Sequence, residues 1–405
     1  MTKTPVKKVE PMKIITPRNL FIVLCSLFPV FLIEINANAT ELQPASFHSY
    51  LRQGIDKAFN LETADAYACI KKAVELEPEN PTGYAFLAVL HWFFSEMSFN
   101  TKDRDANQEA MLNYAKESFA KGEKRIKTNP QDNQAYFAIA LAKIIKIHWA
   151  INQKHYFILA QETSNIWDYL EKAKGVNGNQ NYDTYFLMGL FHYHLKHVSG
   201  IIRFLSSSLI VPGSHQKGLQ ELELAAKKGF LLKELAQAEL SSDYLNFEKQ
   251  PAKALPFVRE LNKRFPNNYN FLFALSSTLA DLHRFEEASD IARQIEKNIQ
   301  ACVPPFVPQL QSRYNQLMGR IYFNQGEYDR SIEYFQNALK DVSFYNARVR
   351  VWALVRLGMI HDIRKQRNMA EECYYKALEV EGGEGAARIE AKKYLITPYT
   401  SPPKL

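Results

Sequence analysis

The sequence predicts an all-α solenoid of about eight antiparallel helical hairpins, enlarged in the middle and closed by a C-terminal capping helix. Apolar residues recur at spacings of three and four, the period of a helix with one buried stripe, and no alternating apolar-polar run bounded by turns competes with it. Small residues stand 34 apart twice, Gly54 to Ala88 and Ser242 to Ser276, which is the signature of a repeated helical pair. Composition allows such an array: 46% of 405 residues are apolar, ample for a continuous core, and Gly and Pro are sparse.

The clearest unit is Tyr314 to Leu339. It places Met318-Gly319 and then Tyr322 on a first helix, a Gly326-x-Tyr328 turn, and Ser331, Phe335 and Ala338 on a second helix. Small residues are needed where two antiparallel helices come closest, and aromatics fill the space on either side. The pattern resembles the tetratricopeptide repeat family, and the resemblance implies a helical solenoid that binds partners. The pattern recurs as Leu357-Gly358, His361, Ala370, Tyr374 and Ala377, and as Leu275-Ser276, Leu279, Ala288, Ala292 and Ile295. Ser242 leads similarly to Leu245, Ala254, Val258 and Leu261, and Gly54 to Ala66, Ile70 and Ala73.

Between these units lie looser hairpins of about 50 residues with small residues at Ala88, Ala140 and Gly189. Their second helices are expected over 107–127, 157–173 and 215–227. A short helix over 386–395 would cap the last hairpin, as an open solenoid end requires. The resulting division is 1–39 leader, 45–230 enlarged hairpins, 231–396 regular array and 397–405 disordered tail.

Residues 1–39 read as an export signal. Basic residues through Arg18 precede an apolar run from Leu20 to Ile33, and Ala37-Asn38-Ala39 supplies a cleavage site. That run has 14 residues and contains Pro29, against the roughly 20 that a spanning helix needs. Cleavage after Ala39 and a periplasmic or cell-envelope location are expected, with an uncleaved anchor as the alternative. Of the formal charge of +7, the leader carries +3, so the remainder is too mild and dispersed to argue for nucleic acid. Beyond the leader Cys69, Cys302 and Cys373 are widely separated and form no metal-spaced or redox pair.

No nucleophile elbow, phosphate-binding loop or zinc-protease motif is present, so an enzyme is not expected. His192, His194 and His197 cluster on one helix, but His192 occupies the aromatic position equivalent to Tyr322 and packing accounts for it. Neither a metal nor a cofactor is expected. Glu221, Glu223, Glu371 and Glu372 are assigned to solvated helix faces. The resemblance places Ile55, Val89, Leu141 and Leu190 on the concave groove, with Trp92, Ile144 and Tyr193 one turn on. No asparagine stands at those positions or at Asp243, Ser277, Arg320 and Met359, so capture of an acidic chain end by the family's asparagine clamp is not supported.

An apolar groove in the N-terminal half has two readings. Either it receives a hydrophobic small molecule, lipid or amphipathic helix, or other parts of the chain cover it. Near-uniform apolarity of 84–97 and 135–151 favours self-coverage. The segment 198–212, with Ile201, Phe204 and Arg203, is apolar and is read as groove packing, with lipid or membrane-surface contact as the alternative. The functional expectation is an exported scaffold for protein partners of unknown identity.

Overall fold

The computed structural model describes residues 46–163, 165–175, 180–194, 215–383 and 385–400. The leader, 198–212 with Ile201 and Phe204, and residues 401–405 lie outside the described residues. Eighteen α-helices and no strand are found among the described residues. They pair as eight hairpins: α1 Phe47–Phe59 with α2 Thr63–Leu76, α3 Pro81–Met97 with α4 Thr101–Thr128, and α5 Asn133–Asn152 with α6 Tyr156–Thr163 and α7 Ile166–Ala173. Next come α8 Thr184–His194 with α9 His215–Lys228, α10 Lys233–Asn246 with α11 Pro251–Arg264, and α12 Tyr269–Asp281 with α13 Phe285–Gln300. The last two are α14 Gln311–Gln325 with α15 Tyr328–Leu339, and α16 Ala347–Ile363 with α17 Arg367–Glu379. Helix α18, Ala386–Ile396, packs on both α16 and α17 as the expected cap.

Local chemistry sets the ends of these helices. Ser46 begins α1 with a reciprocal capping box to Ser49. Asn80, Asn100, Asp132 and Asn268 cap α3, α4, α5 and α12 through side-chain oxygens that accept first-turn N–H groups. Gly326 ends α14 at φ 81°, a left-handed conformation that a side chain would strain. The second helix of the third hairpin is broken into α6 and α7, with Asn165 at φ 60° starting α7.

Close approach within each hairpin rests on the predicted small residues. A Cβ at Gly319 would lie 2.5 Å from the Phe335 ring, and one at Gly358 would lie 2.4 Å from Tyr374. Ala88, Ala140 and Ser276 are fully buried, as are Phe335, Ala338, Ala370, Tyr374 and Ala377. Gly54 meets Ile70, and Gly189 meets Leu222. Tyr322 is half-buried and stacks on Tyr334 at 5.4 Å.

Ser242 is a correction: it is exposed, and Ser241 with Tyr244 fills the buried positions. The turn from α10 to α11 spans four residues, Phe247 to Gln250, where that from α12 to α13 spans three, so the register of α10 slips by one. The 34-residue interval between Ser242 and Ser276 therefore joins non-equivalent positions. The tail also departs from expectation as far as it is described. The Tyr399 N–H donates to Asp362 Oδ2 at 2.8 Å, and its ring packs against Tyr394 and Phe323, which orders the chain through Thr400.

The array curls back on itself. Asn268 Nδ2 donates to the Phe59 carbonyl at 2.8 Å, and Phe59 stacks on Phe265 at 5.2 Å and Phe271 at 6.0 Å. Arg52 bonds the Phe230 carbonyl at 2.7 Å and pairs with Glu234 at 2.9 Å, while Arg264 reaches both Asp56 and Glu234. The turn after α3 and the start of α4 meet the short turn Phe344–Asn346 that leads into the eighth hairpin, with Phe99 against Tyr345 at 5.1 Å and Arg104 over Phe344 at 4.4 Å. One apolar core consequently runs from Phe47 to Phe271, across the expected boundary at 230.

Candidate functional site: the inner face of the curled array

The inner face changes character along the array, from apolar to acidic to basic. At the apolar end, Ile55, Val89 and Trp92 line a cleft with Phe93, Leu231 and Leu235. Its volume is about 40 Å³, far below the about 300–1,000 Å³ of pockets that hold drug-sized ligands. Curling brings Leu231 and Leu235, at the start of the fifth hairpin, against α1 and α3 as further walls of this cleft. Leu141 and Tyr193 are buried in the first core, while Ile144 and Leu190 are half-buried against it, and none of the four lines this cleft. The sequence-predicted groove set is therefore divided between a nearly filled cleft and the core.

The middle of the inner face carries histidines and carboxylates. His194 on α8 meets Glu239 on α10, Nε2 to Oε1, at 2.7 Å, and lies 3.8 Å from Asp243 Oδ1. Glu248 accepts from Tyr193 at 2.9 Å and lies 2.7 Å from His215 Nε2. Asp243 is fully buried, and burial, then Glu239 and Glu248, pushes its carboxyl up to about 10. His148 stands against Trp92 at 5.2 Å, and its burial favours the neutral ring.

His192 does not belong to this group. It is buried, packs at a tilt against Trp167 at 4.9 Å, and its Nδ1 lies 2.5 Å from Glu221. Packing at the aromatic position thus accounts for it, but Glu221 is corrected from a solvated residue to its buried partner. Glu223 accepts from Tyr244 at 2.7 Å, a contact across neighbouring hairpins.

Basic residues dominate the far end. Arg320 makes a two-point contact with Asp281, Nε to Oδ1 at 2.8 Å, and joins α14 to α12. Among the described residues Arg313 donates only to the neutral Asn270 amide, at 2.6 Å, and it lies 4.4 Å over Phe273. Arg356 is buried, 5.2 Å over Phe323 and 5.7 Å from Trp352, and its Nε has no acceptor among the described residues. Burial pulls Arg313 down to about 10, and burial together with the neighbouring Arg320 does the same to Arg356 against the opposing pull of Asp281 and Glu390. Lys249 is held by Glu390 of the capping helix.

Sequence reasoning missed Glu239, Asp243, Arg313 and Arg356. Only the i,i+4 spacing of Glu239 and Asp243 was visible locally, because their partner His194 lies 45 or more residues away and is brought in by helix packing. No described helix is long and apolar enough to cross a membrane.

Residues 312–340 and 353–382 match the tetratricopeptide repeat family. No curated protein matches the chain in sequence. Among solved structures, the human IFIT1 dimer with m7Gppp-AAAA is 12% identical over 86% of this chain and 85% of that one, with a TM-score of 0.41. The tetratricopeptide repeat domain of P58(IPK) is 16% identical over 86% of this chain and 96% of that one, with a TM-score of 0.22. Neither likeness is close enough to bear on ligand or partner.

Proposed function

We propose that this tetratricopeptide repeat protein is a non-enzymatic scaffold of the cell envelope, holding a protein partner by an acidic segment on the inner face of its C-terminal hairpins. The repeats supply a rigid frame whose specificity lies in surface side chains rather than in the fold. Arg356 carries the assignment: a buried guanidinium flanked by two aromatic rings, with its Nε unsatisfied, is a costly arrangement that an arriving carboxylate would relieve. Arg313, with no carboxylate partner among the described residues, extends the same surface toward α12. The filled apolar cleft offers less room for the alternative reading, a hydrophobic small molecule or lipid. The basic leader, its apolar run and Ala37-Asn38-Ala39 support an exported location.

A photo-crosslinking residue placed at Trp352, beside Arg356, tests the reading when compared with one at the outward Tyr375. Protein adducts from the envelope fraction at Trp352, lost on Arg356→Gln, are expected. Adducts at Tyr375 alone, or none at either position, would overturn it. Intact mass of the recovered protein should correspond to a chain beginning at Thr40.

A further inference from the structure

We propose that His194, Glu239 and Asp243 form a binding site for one divalent transition-metal ion, with Zn²⁺ the natural occupant. The three side chains offer one nitrogen and two carboxylate oxygens, and all three ligand atoms lie within 4.8 Å of one another. Ligands about 2.0–2.2 Å from a tetrahedral zinc stand roughly 3.4 Å apart. The observed 2.7 Å from His194 to Glu239 and 3.8 Å from His194 to Asp243 bracket that separation. Small side-chain rotations reach the coordinated geometry, since Glu239 and Asp243 project from one face of α10 at i,i+4.

The independent observation is Asp243 itself. Its carboxylate is fully buried, and neither oxygen has a hydrogen-bond partner among the described residues. Buried carboxylates are ordinarily satisfied by several donors, because leaving one bare forfeits its hydration with nothing in return. Asp183 in this same chain shows the ordinary solution: its oxygens accept the N–H groups of Phe230, Leu231 and Leu232 at 2.9–3.1 Å. Asp243 instead faces His194 and Glu239, with Glu248 adding a further negative charge nearby. A dication at this point would satisfy the bare oxygens and balance the acidic cluster together. A nitrogen with two carboxylate oxygens suits zinc or manganese, whereas calcium prefers an all-oxygen shell.

Three protein ligands leave a coordination position for water or for a group on a bound partner. The site lies between hairpins four and five, so an ion would also tie α8 to α10.

The test is titration of the full-length, chelator-stripped chain with ZnCl₂ by calorimetry, alongside Asp243→Asn, Glu239→Gln and the outlying control Glu371→Gln. One Zn²⁺ per chain is expected for the parent and for Glu371→Gln. Affinity should fall about 100-fold or more in Asp243→Asn and Glu239→Gln, beyond the ~10–100-fold typical of residues one layer out. Cobalt substitution should give visible d–d bands that Asp243→Asn abolishes. No saturable binding to the parent, or equal affinity in all four proteins, overturns the proposal. Asp243→Asn keeps the size of a buried carboxyl and is expected to fold; should it not, the spectrum of Glu239→Gln decides, an unchanged cobalt spectrum overturning the site.

Discussion

Gly319 and Gly358 set how closely paired helices approach, and the space they leave is already occupied. At Gly319 the neighbour is the ring of Phe335, fully buried between α14 and α15 with no room to turn aside. A methyl group there meets aromatic carbon at 2.5 Å, so the helices must separate. Helix propensity favours alanine over glycine by about 1 kcal/mol, but overpacking of a filled core costs roughly 1–3 kcal/mol, and here the second effect wins. Gly319→Ala should therefore lower the urea midpoint of unfolding, whereas Gly319→Ala combined with Phe335→Leu should recover part of the loss. Stabilisation by the single substitution would show that the hairpin is looser than its geometry. Such positions were legible in sequence, because a small residue followed by aromatics at helical spacing has one steric meaning.

Between elements, a charged contact does what small residues do within a hairpin. Arg320 on α14 grips Asp281 at the end of α12, and Asn324 adds a third hydrogen bond to the same carboxylate at 2.8 Å. Burial would raise the Asp281 carboxyl, but Arg320, with help from Arg356 and Asn324, outweighs it and holds the group below the ordinary 3.8. A folded pKa below the unfolded one adds stability that is present above pH ~4 and is lost as pH falls through the folded value. Asp281→Asn strands a buried guanidinium and should cost about 3–5 kcal/mol near neutral pH. Its deficit relative to the parent should shrink in urea melts toward pH 3, and a deficit independent of pH would contradict the ionic account. This pair was not legible in sequence, although the helices bearing it were. Hairpin order follows from local spacing, whereas the partner of Arg320, 39 residues away, depends on how one hairpin is rotated on the next. The same limit explains Ser242, where one extra residue in the turn at Phe247–Gln250 moved α10 by a position that composition could not register. It also explains why the groove residues Leu141 and Tyr193 ended in the core while Arg356 reached the inner face.

At the scale of the whole array, closure alters how the solenoid should unfold. An open array is held only by contacts between neighbouring hairpins, so its ends can fray independently of its middle. Here Phe59 on the first hairpin stacks on Phe265 and Phe271, Asn268 bonds the Phe59 carbonyl, and Arg52 reaches Phe230 and Glu234. Contacts nearly 180 to 210 residues apart in sequence link the first hairpin to the fifth and sixth. Cooperative unfolding of hairpins one to six is the consequence, since releasing the first also uncovers the apolar surface of Leu231 and Leu235. Phe59→Ala should cost about 3–5 kcal/mol by cavity formation, and Phe59→Ala with Arg52→Ala should do more than lower stability. The double variant should keep the helical far-UV signal, because each hairpin still packs on its neighbour, but its scattering radius should grow and its urea transition should split into two. A double variant that unfolds in one step with an unchanged radius would mean that nearest-neighbour packing alone holds the curl, and that the ring contacts of Phe59 merely follow from it.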